Sequence, residues 1–387
     1  MAGAGRALAS PGAPSGGEGA PPGAASSPAL LGPLPRAGFR MEVARVDSPA
    51  MDPPKAAAAR ARARLAAAVR AFLGSRGYQE VETPCLVPAP GMEPHLDAFE
   101  VPFVPEGGGA PRRLWLHTSP EYAMKRLLAD GYQRVFQLAR VFRNGEISAT
   151  HNPEFTMLEF YRAGTDYRGI MEDLEALVAE AARAILGRTR LARGGRELEL
   201  APPFERLGVV EAFATRAGID LAACGGDGVR LRAAARARGL EAGPDGEGFG
   251  DAFFRVFLQA VEPGLGFPRP VYLVDWPVSM AALSRLEPGG RWAERFELYL
   301  GGLELANGFS ELNDAAEQRR RLEAEREERR RLGRPAYPVD ERFLQAVGRM
   351  PDAGGVAVGF DRLLMLLLGA ESIEEVLLFP ARGFLGA

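Results

Sequence analysis

The chain has 387 residues, 47% of them hydrophobic, enough for one large domain or two ordinary ones around a buried core. Its formal net charge of −3 supplies no overall positive field, which argues against a large nucleic-acid footprint and against attraction to an anionic membrane surface. Two cysteines, Cys85 and Cys224, stand far apart, which excludes a disulfide framework and paired zinc ligation and fits a reducing, cytoplasmic setting.

Residues 1–54 are dominated by Ala, Gly, Pro and Ser and cannot bury enough surface to offset the entropy of ordering, so a disordered tail is expected there. Pro and Gly interrupt any apolar core a signal peptide would need, and Met41 and Met51 offer later starts of translation. From Lys55 to Arg76 the apolar residues Leu65, Val69, Phe72 and Leu73 share one helical face, and Gly77 stops the helix. The stretch "YQEVETP" alternates and ends at Pro84, which predicts a strand. "LWLHTSP", "RVFQLARVFR", "FTMLEFYRA", "PVYLVDWP", "RFELYLGGLELANGF" and "GVAVGF" predict further strands, many consecutive without intervening helices. That order favours an antiparallel sheet in an α+β fold over repeated βαβ units. Residues 166–187 and most of 206–262 read as helices, and "EAEREERRR" over 323–331 reads as the solvated face of another. The apolar run Leu363–Leu368 is far shorter than the roughly 20 residues that span a bilayer.

Three segments carry chemistry. In "RVFRNGEISATHNPEFTMLEFY", Arg143 on a strand can clamp an α-phosphate bidentately, Phe155 can stack on adenine, and His151 can donate to the outer phosphates. In "FELYLGGLELANGFSELND", Glu297, Glu304 and Glu311 recur every seven residues. One helix face would explain the spacing, but Gly301, Gly302 and Gly308 would each cost about 1 kcal/mol in a helix interior, so a hairpin is expected. Carboxylates on neighbouring strands could hold Mg²⁺ against a triphosphate or receive a cationic substrate group. In "GGVAVGFDRLLMLLLGA", Gly355 and Gly359 let backbone approach a ligand, and Arg362 offers a second clamp.

In order, "GYQEVETP", "FRNGE…HNPEF" and "GVAVGFDR" resemble motifs 1, 2 and 3 of class II aminoacyl-tRNA synthetases across roughly residues 60–380, and "ANGFSELND" resembles the lysyl branch. The resemblance implies an antiparallel sheet of six or seven strands flanked by helices, a catalytic domain over 55–387, homodimerisation through the segment containing Pro84, and activation of an amino acid as its adenylate with ATP and Mg²⁺. Within that branch, "TSPEYAMKRLL", "VFQLARVFR" and "MPDAGGVAVGFDRL" are most similar to the elongation factor P lysine ligases. Like them, the chain shows no anticodon-binding OB-fold pattern before motif 1. It also carries Ala357 where the synthetases have Gly, a position linked in those ligases to preference for (R)-β-lysine over lysine.

Carried over, the resemblance assigns Ser119, Pro120 and Glu121 to the amino-acid end of the substrate. It assigns Glu159, Tyr161 and Glu311 to its ε-ammonium, with Glu304 and Ala357 also in the substrate site. Arg143, Asn144, Gly145, Glu146, His151, Asn152, Phe155, Glu297, Leu298, Gly359 and Arg362 fall to ATP, with Arg143 and Arg362 catalytic and Glu297 and Glu304 holding Mg²⁺. Motif 2 usually reads Arg-x-Glu, whereas here Gly145 takes the third place and Glu146 follows. Either Glu146 substitutes through a loop shift or that contact is lost. Ser310 and Asn313 resemble the synthetases more than the ligases. The expected acceptor is elongation factor P rather than tRNA. A tRNA-charging paralogue without an anticodon domain and a non-catalytic regulatory paralogue are the alternatives.

Overall fold

The computed structural model describes residues 53–386, so the tail expected over 1–54 lies outside them apart from its last two residues, which begin the first helix. Helix α1 (Pro53–Ser75) places Leu65, Val69 and Leu73 four residues apart on one buried stripe. Strand β1 (Gln79–Glu80) follows. A small sheet is made of β2 (Leu86–Val87), β3 (Glu100–Phe103) and β4 (Arg112–Leu116) in the order β2-β4-β3. Then come α2 (Glu121–Ala129), β5 (Arg134–Phe142), β6 (Glu154–Ala163), α3 (Tyr167–Leu186) and the hairpin β7 (Arg190–Arg193) with β8 (Arg196–Glu199). Asp166 caps α3 by accepting from the backbone N–H groups of Arg168 and Gly169, and Gly187 ends it at a φ of 70°.

After β9 (Glu205–Gly208), residues 209–261 form a helical lobe that includes α4 (Val209–Ala212), α5 (Leu221–Cys224), α6 (Gly228–Ala237) and α7 (Phe249–Val256). Phe213, Phe253, Phe257 and Trp276 pack at its centre. The chain then lays down β10 (Val271–Pro277), β11 (Trp292–Leu300), β12 (Leu303–Ser310), α8 (Ala315–Arg331), α9 (Glu341–Val347), β13 (Ala353–Gly359) and α10 (Phe360–Leu368).

The main sheet has eight strands in the order β1-β5-β6-β13-β12-β11-β10-β9. All pairings are antiparallel except the two outermost, β1 with β5 and β9 with β10. The α+β class is as expected, but the sheet exceeds the six or seven strands implied. The predicted strand "YQEVETP" pairs over Gln79–Glu80 only, because the chain leaves the sheet edge before Pro84.

Because strand side chains alternate, the sheet has two unlike faces. Leu158 and Phe160 on β6, Phe296, Leu298 and Leu300 on β11, and Val356 and Val358 on β13 point to one side, where α1, α3 and α10 cover them. Their neighbours in sequence point to the other side, and that face is left open for ligands. β11 and β12 join through Gly301 and Gly302, whose φ values of 57° and 80° suit a two-residue hairpin turn that any other pair would strain. The hairpin expected in place of one helix is therefore formed.

Helix α8 corrects the reading of its charges as a solvated face. Arg329 is fully buried. Its guanidinium donates to the carbonyls of Glu93, Leu96 and Pro335 at 2.7, 2.6 and 2.6 Å, pairs with Asp97 at 2.6 Å, and lies 4.2 Å from the Tyr337 ring centre. With every nitrogen engaged, a cation that charge alternation alone would put in water becomes the pin holding α8 to the loop at 93–97.

Candidate active site

A cavity of about 1050 Å³ opens on the uncovered sheet face. Its floor follows the two-residue period: Phe155, Met157 and Tyr161 from β6, Arg295 and Glu297 from β11, Asn307 and Phe309 from β12, and Gly355, Ala357 and Gly359 from β13.

At one end lie the two expected arginines. Arg143 faces the Phe155 ring at 5.2 Å, and its buried Nε has no hydrogen-bond partner among the described residues. An unpaired guanidinium nitrogen in a cavity wall costs free energy that an anionic ligand would recover. Gly145 turns the chain at a φ of 85°, which brings Glu146 back to within 3.8 Å of Arg143. Glu146 thus faces the arginine and does not line the cavity. Arg362 donates to the Glu304 carbonyl at 2.9 Å and to His151 Nε2 at 2.7 Å, while His151 Nδ1 lies 2.8 Å from Ser148 Oγ. Since arginine can only donate, His151 Nε2 accepts and Nδ1 carries the proton. Burial, then Arg362 and Arg143, push the His151 pKa down to about 4. The neutral imidazole orients Arg362, so its expected service as a direct phosphate donor is corrected to an indirect one.

Glu297 and Glu304 share this end. Glu297 accepts from Arg295 at 2.5 Å and from the Tyr299 hydroxyl at 2.9 Å. Burial pushes the Glu297 carboxyl up, Arg295 opposes this, and Glu304 adds to it. Arg295 also donates to Asn307 Oδ1 at 3.2 Å and lies 4.3 Å from the Trp276 ring centre. No group of three or more His, Cys, Asp or Glu among the described residues could form a metal cage. Two carboxylates on one cavity wall nonetheless fit Mg²⁺, which takes one or two protein carboxylates and completes its shell with phosphate and water.

The opposite end is built around carboxylates. Ser119 Oγ donates to Glu159 Oε1 at 2.6 Å and accepts the Glu121 backbone N–H, and the Tyr161 hydroxyl donates to Glu159 Oε2 at 2.8 Å. Burial, followed by Glu121, pushes the Glu159 pKa up to about 8. Glu311 is wholly buried, and its Oε1 has no hydrogen-bond partner among the described residues. Gly355 is what lets this end form. A Cβ there would sit 2.2 Å from the Tyr161 ring and 2.4 Å from Glu311 Oε1. The seven-residue spacing thus divides: Glu297 and Glu304 belong to the arginine end, Glu311 to the carboxylate end.

Several expected residues stand elsewhere. Asn144 and Gly145 are exposed in the loop and do not line the cavity. Leu298 is a core residue on the covered face, and Pro120 is buried behind the wall at the start of α2. Asn152 reaches the cavity, but its amide is spent on the fold, donating to the Glu154 carbonyl and accepting the Ala381 N–H. Glu159 is one layer back and acts through Ser119 and Tyr161.

Other groups escaped the sequence reading. Lys125 sits behind Glu121 and Glu311, a placement only the i,i+4 spacing to Glu121 hints at. Glu93, Glu325 and Glu328 also line the cavity, with His95 and Arg331. Burial, then Glu121, raises the Glu93 pKa, and burial, then Glu93, pushes that of Glu325 up to about 8. Within a charge run these glutamates carried no distinguishing signal.

Residues 42–383 match the family model for class II tRNA synthetases (D, K and N). The chain is also similar to a lysine–tRNA ligase of Moorella thermoacetica, 42% identical over 321 residues. That alignment covers 82% of this chain and 64% of the relative, so the chain spans a little under two thirds of the relative's length.

Proposed function

The chain belongs to the class II tRNA synthetases (D, K and N), and from that premise we propose that it activates lysine or (R)-β-lysine with ATP and passes the aminoacyl group to a lysine ε-amino group of elongation factor P. The observation that supports this choice of acceptor is the carboxylate-rich lining of the cavity. Glu93, Glu325 and Glu328 all lie in it, and although burial raises the Glu93 and Glu325 carboxyls, in their ionised form they favour an incoming ammonium over the phosphodiesters of a tRNA 3′ end.

The arginine end suits ATP. Phe155 offers a ring for adenine, and the free Nε of Arg143 and the oriented Arg362 face the phosphates. Glu297 and Glu304 would hold Mg²⁺, which when bound offsets charge on the triphosphate. The carboxylate end suits a lysine side chain, since the buried Oε1 of Glu311 would be left unpaired by a neutral analogue. In the first step a carboxylate oxygen of the amino acid bonds to the α-phosphorus and pyrophosphate leaves. In the second, the acceptor nitrogen bonds to the carbonyl carbon, AMP leaves, and the amine loses a proton. Neither step requires a protein nucleophile, so positioning and charge stabilisation carry the catalysis. Such an acceptor places the enzyme in the cytoplasm, and no helix among the described residues is long and apolar enough to cross a membrane. A homodimer is proposed from family membership.

The similarity to a lysine–tRNA ligase favours a second reading, in which the same adenylate is delivered to tRNA. The paired unoccupied donors and acceptors facing the cavity argue against a non-catalytic role. Amino-acid-dependent ATP–pyrophosphate exchange with lysine and (R)-β-lysine, followed by separate offers of elongation factor P and tRNA(Lys), decides among the three. A lysyl mass increase on the protein supports the main reading, charging of tRNA alone replaces it with the second, and no exchange removes both.

A further inference from the structure

We propose that Lys125 is a specificity-determining positioning residue: a fixed cation behind the pocket wall that leaves the amino-acid end short of two positive charges, so that it selects an acid bearing two ammonium groups over isosteres bearing one. This rests on the amino-acid activation proposed above.

Lys125 lies one helical turn after Glu121 on α2, and its ammonium is 2.6 Å from Glu121 Oε1 and 2.6 Å from Glu311 Oε2. It is 1% exposed and does not line the cavity, whereas Glu121 and Glu311 both do. The lysine therefore pairs with one oxygen of each of two carboxylates whose side chains line the cavity. The Phe309 ring, 5.9 Å away, closes off one side. Glu159 is the third carboxylate of this end, reached through Ser119 and Tyr161. When all three are ionised, as a bound ammonium favours, Glu121, Glu311 and Glu159 exceed Lys125 by two negative charges, and the α- and ε-ammonium groups of a lysine-like acid supply two positive ones. Its carboxylate is left for Arg143 at the far end.

Without Lys125 the desolvated carboxylates would meet their charge deficit by taking protons, and a protonated carboxyl turned toward an ammonium presents a donor to a donor. Burial, opposed by Lys125, already holds the Glu311 carboxyl above the usual range. The other groups felt at this end are Tyr122 and Tyr161, kept as phenols by burial, Glu93 and Glu325, which share the sign of Glu121, and Arg143 and Arg329, which act on Glu93. Among the described residues, Lys125 is the cation in contact with these carboxylates.

The test is Lys125→Met in ATP–pyrophosphate exchange with lysine, norleucine and 6-aminohexanoate, each across pH 6–9. The wild type should prefer lysine strongly over both single-ammonium acids. K125M should raise the KM for lysine about tenfold or more with the KM for ATP unchanged, and should move the midpoint of the lysine KM–pH profile up by about 1–3 pH units. The double variant K125M/E311Q, which removes a cation and a carboxylate together, should return the midpoint towards that of wild type, and it carries the test if K125M does not fold. An unmoved midpoint in K125M, or a displaced one in the double variant, overturns the proposal. If the wild type shows no exchange, the activation reading fails by itself. Calorimetric titration of the three acids into wild type and K125M then decides: loss of a preference for lysine in the variant supports the role of Lys125, and equal or absent binding overturns it.

Discussion

Arg362 Nη2 lies 2.7 Å from His151 Nε2, so the imidazole serves as a neutral acceptor that fixes the direction of the guanidinium. His151→Ala should therefore act through Arg362. The KM for ATP is expected to rise about tenfold, the loss of a hydrogen bond to a charged group, while the KM for lysine changes little. With a pKa pushed down to about 4, His151 should give no titration between pH 6 and 8, and an NMR titration of its ring protons checks this. Its folded pKa lies below its unfolded one, so its contribution to stability is complete above about pH 6.5 and is lost as pH falls toward 4.

Arg143 has a buried Nε with no partner among the described residues, so it is poised for an anion rather than for the fold. Arg143→Ala should lower the exchange rate by about 10²–10³ and leave the thermal midpoint nearly unchanged. Arg143→Lys should restore little of the loss, because a point charge does not reproduce a planar fork. A full recovery in the lysine variant would show that the charge alone acts.

The carboxylate end predicts a pH dependence of known sign. Glu159, with its pKa pushed up to about 8, has a folded value above its unfolded one. Its contribution to stability is therefore fully present below about pH 4.5 and is lost as pH rises toward 8. A bound ammonium reverses the preference by favouring the ionised form. Lysine affinity should weaken about tenfold per pH unit as pH falls below about 8 if one proton is displaced, and the thermal shift produced by lysine should be larger at pH 8.5 than at pH 6.5. Equal shifts at the two values would contradict the assignment.

Gly355 packs against both halves of the ammonium site. Gly355→Ala should destabilise the fold by about 1–3 kcal/mol and abolish measurable lysine binding, because neither the Tyr161 ring nor Glu311 can retreat within a filled interior. The control is Gly74→Ala in α1, where a Cβ meets nothing within 4 Å and helix propensity improves. Thermal unfolding of the pair should move in opposite directions.

What could be read beforehand follows from the range of each interaction. Strands β5, β6 and β10–β13 were legible because one buried face imposes a two-residue period. The β11–β12 turn was legible because Gly301 and Gly302 tolerate a backbone that other residues resist. The same alternation put Tyr161 and Glu297 on a common cavity, whereas Arg143, expected on a strand, and Glu311 reach it from just beyond the ends of β5 and β12. Groups whose role depends on contacts distant in the chain were not legible. Arg329 bonds to carbonyls more than 230 positions away, Glu325 meets Glu93 in the cavity lining, and Lys125 meets Glu311. The side-chain directions and internal bonds of Asn152 and Leu298 were not legible, because proximity to a motif does not say which way a side chain turns or whether its polar atoms are already spent.

The unlike faces of the main sheet have an evolutionary consequence. Folding depends on Leu158, Phe160, Phe296, Leu298, Val356 and Val358, and ligand choice on the residues between them. Positions 307 and 357, half-buried on the cavity side, can therefore be randomised as a library with the hydrophobic interior left intact. Selection for a new amino acid can then proceed by point changes, whereas a one-residue insertion in any of these strands would exchange the two sets and forfeit both.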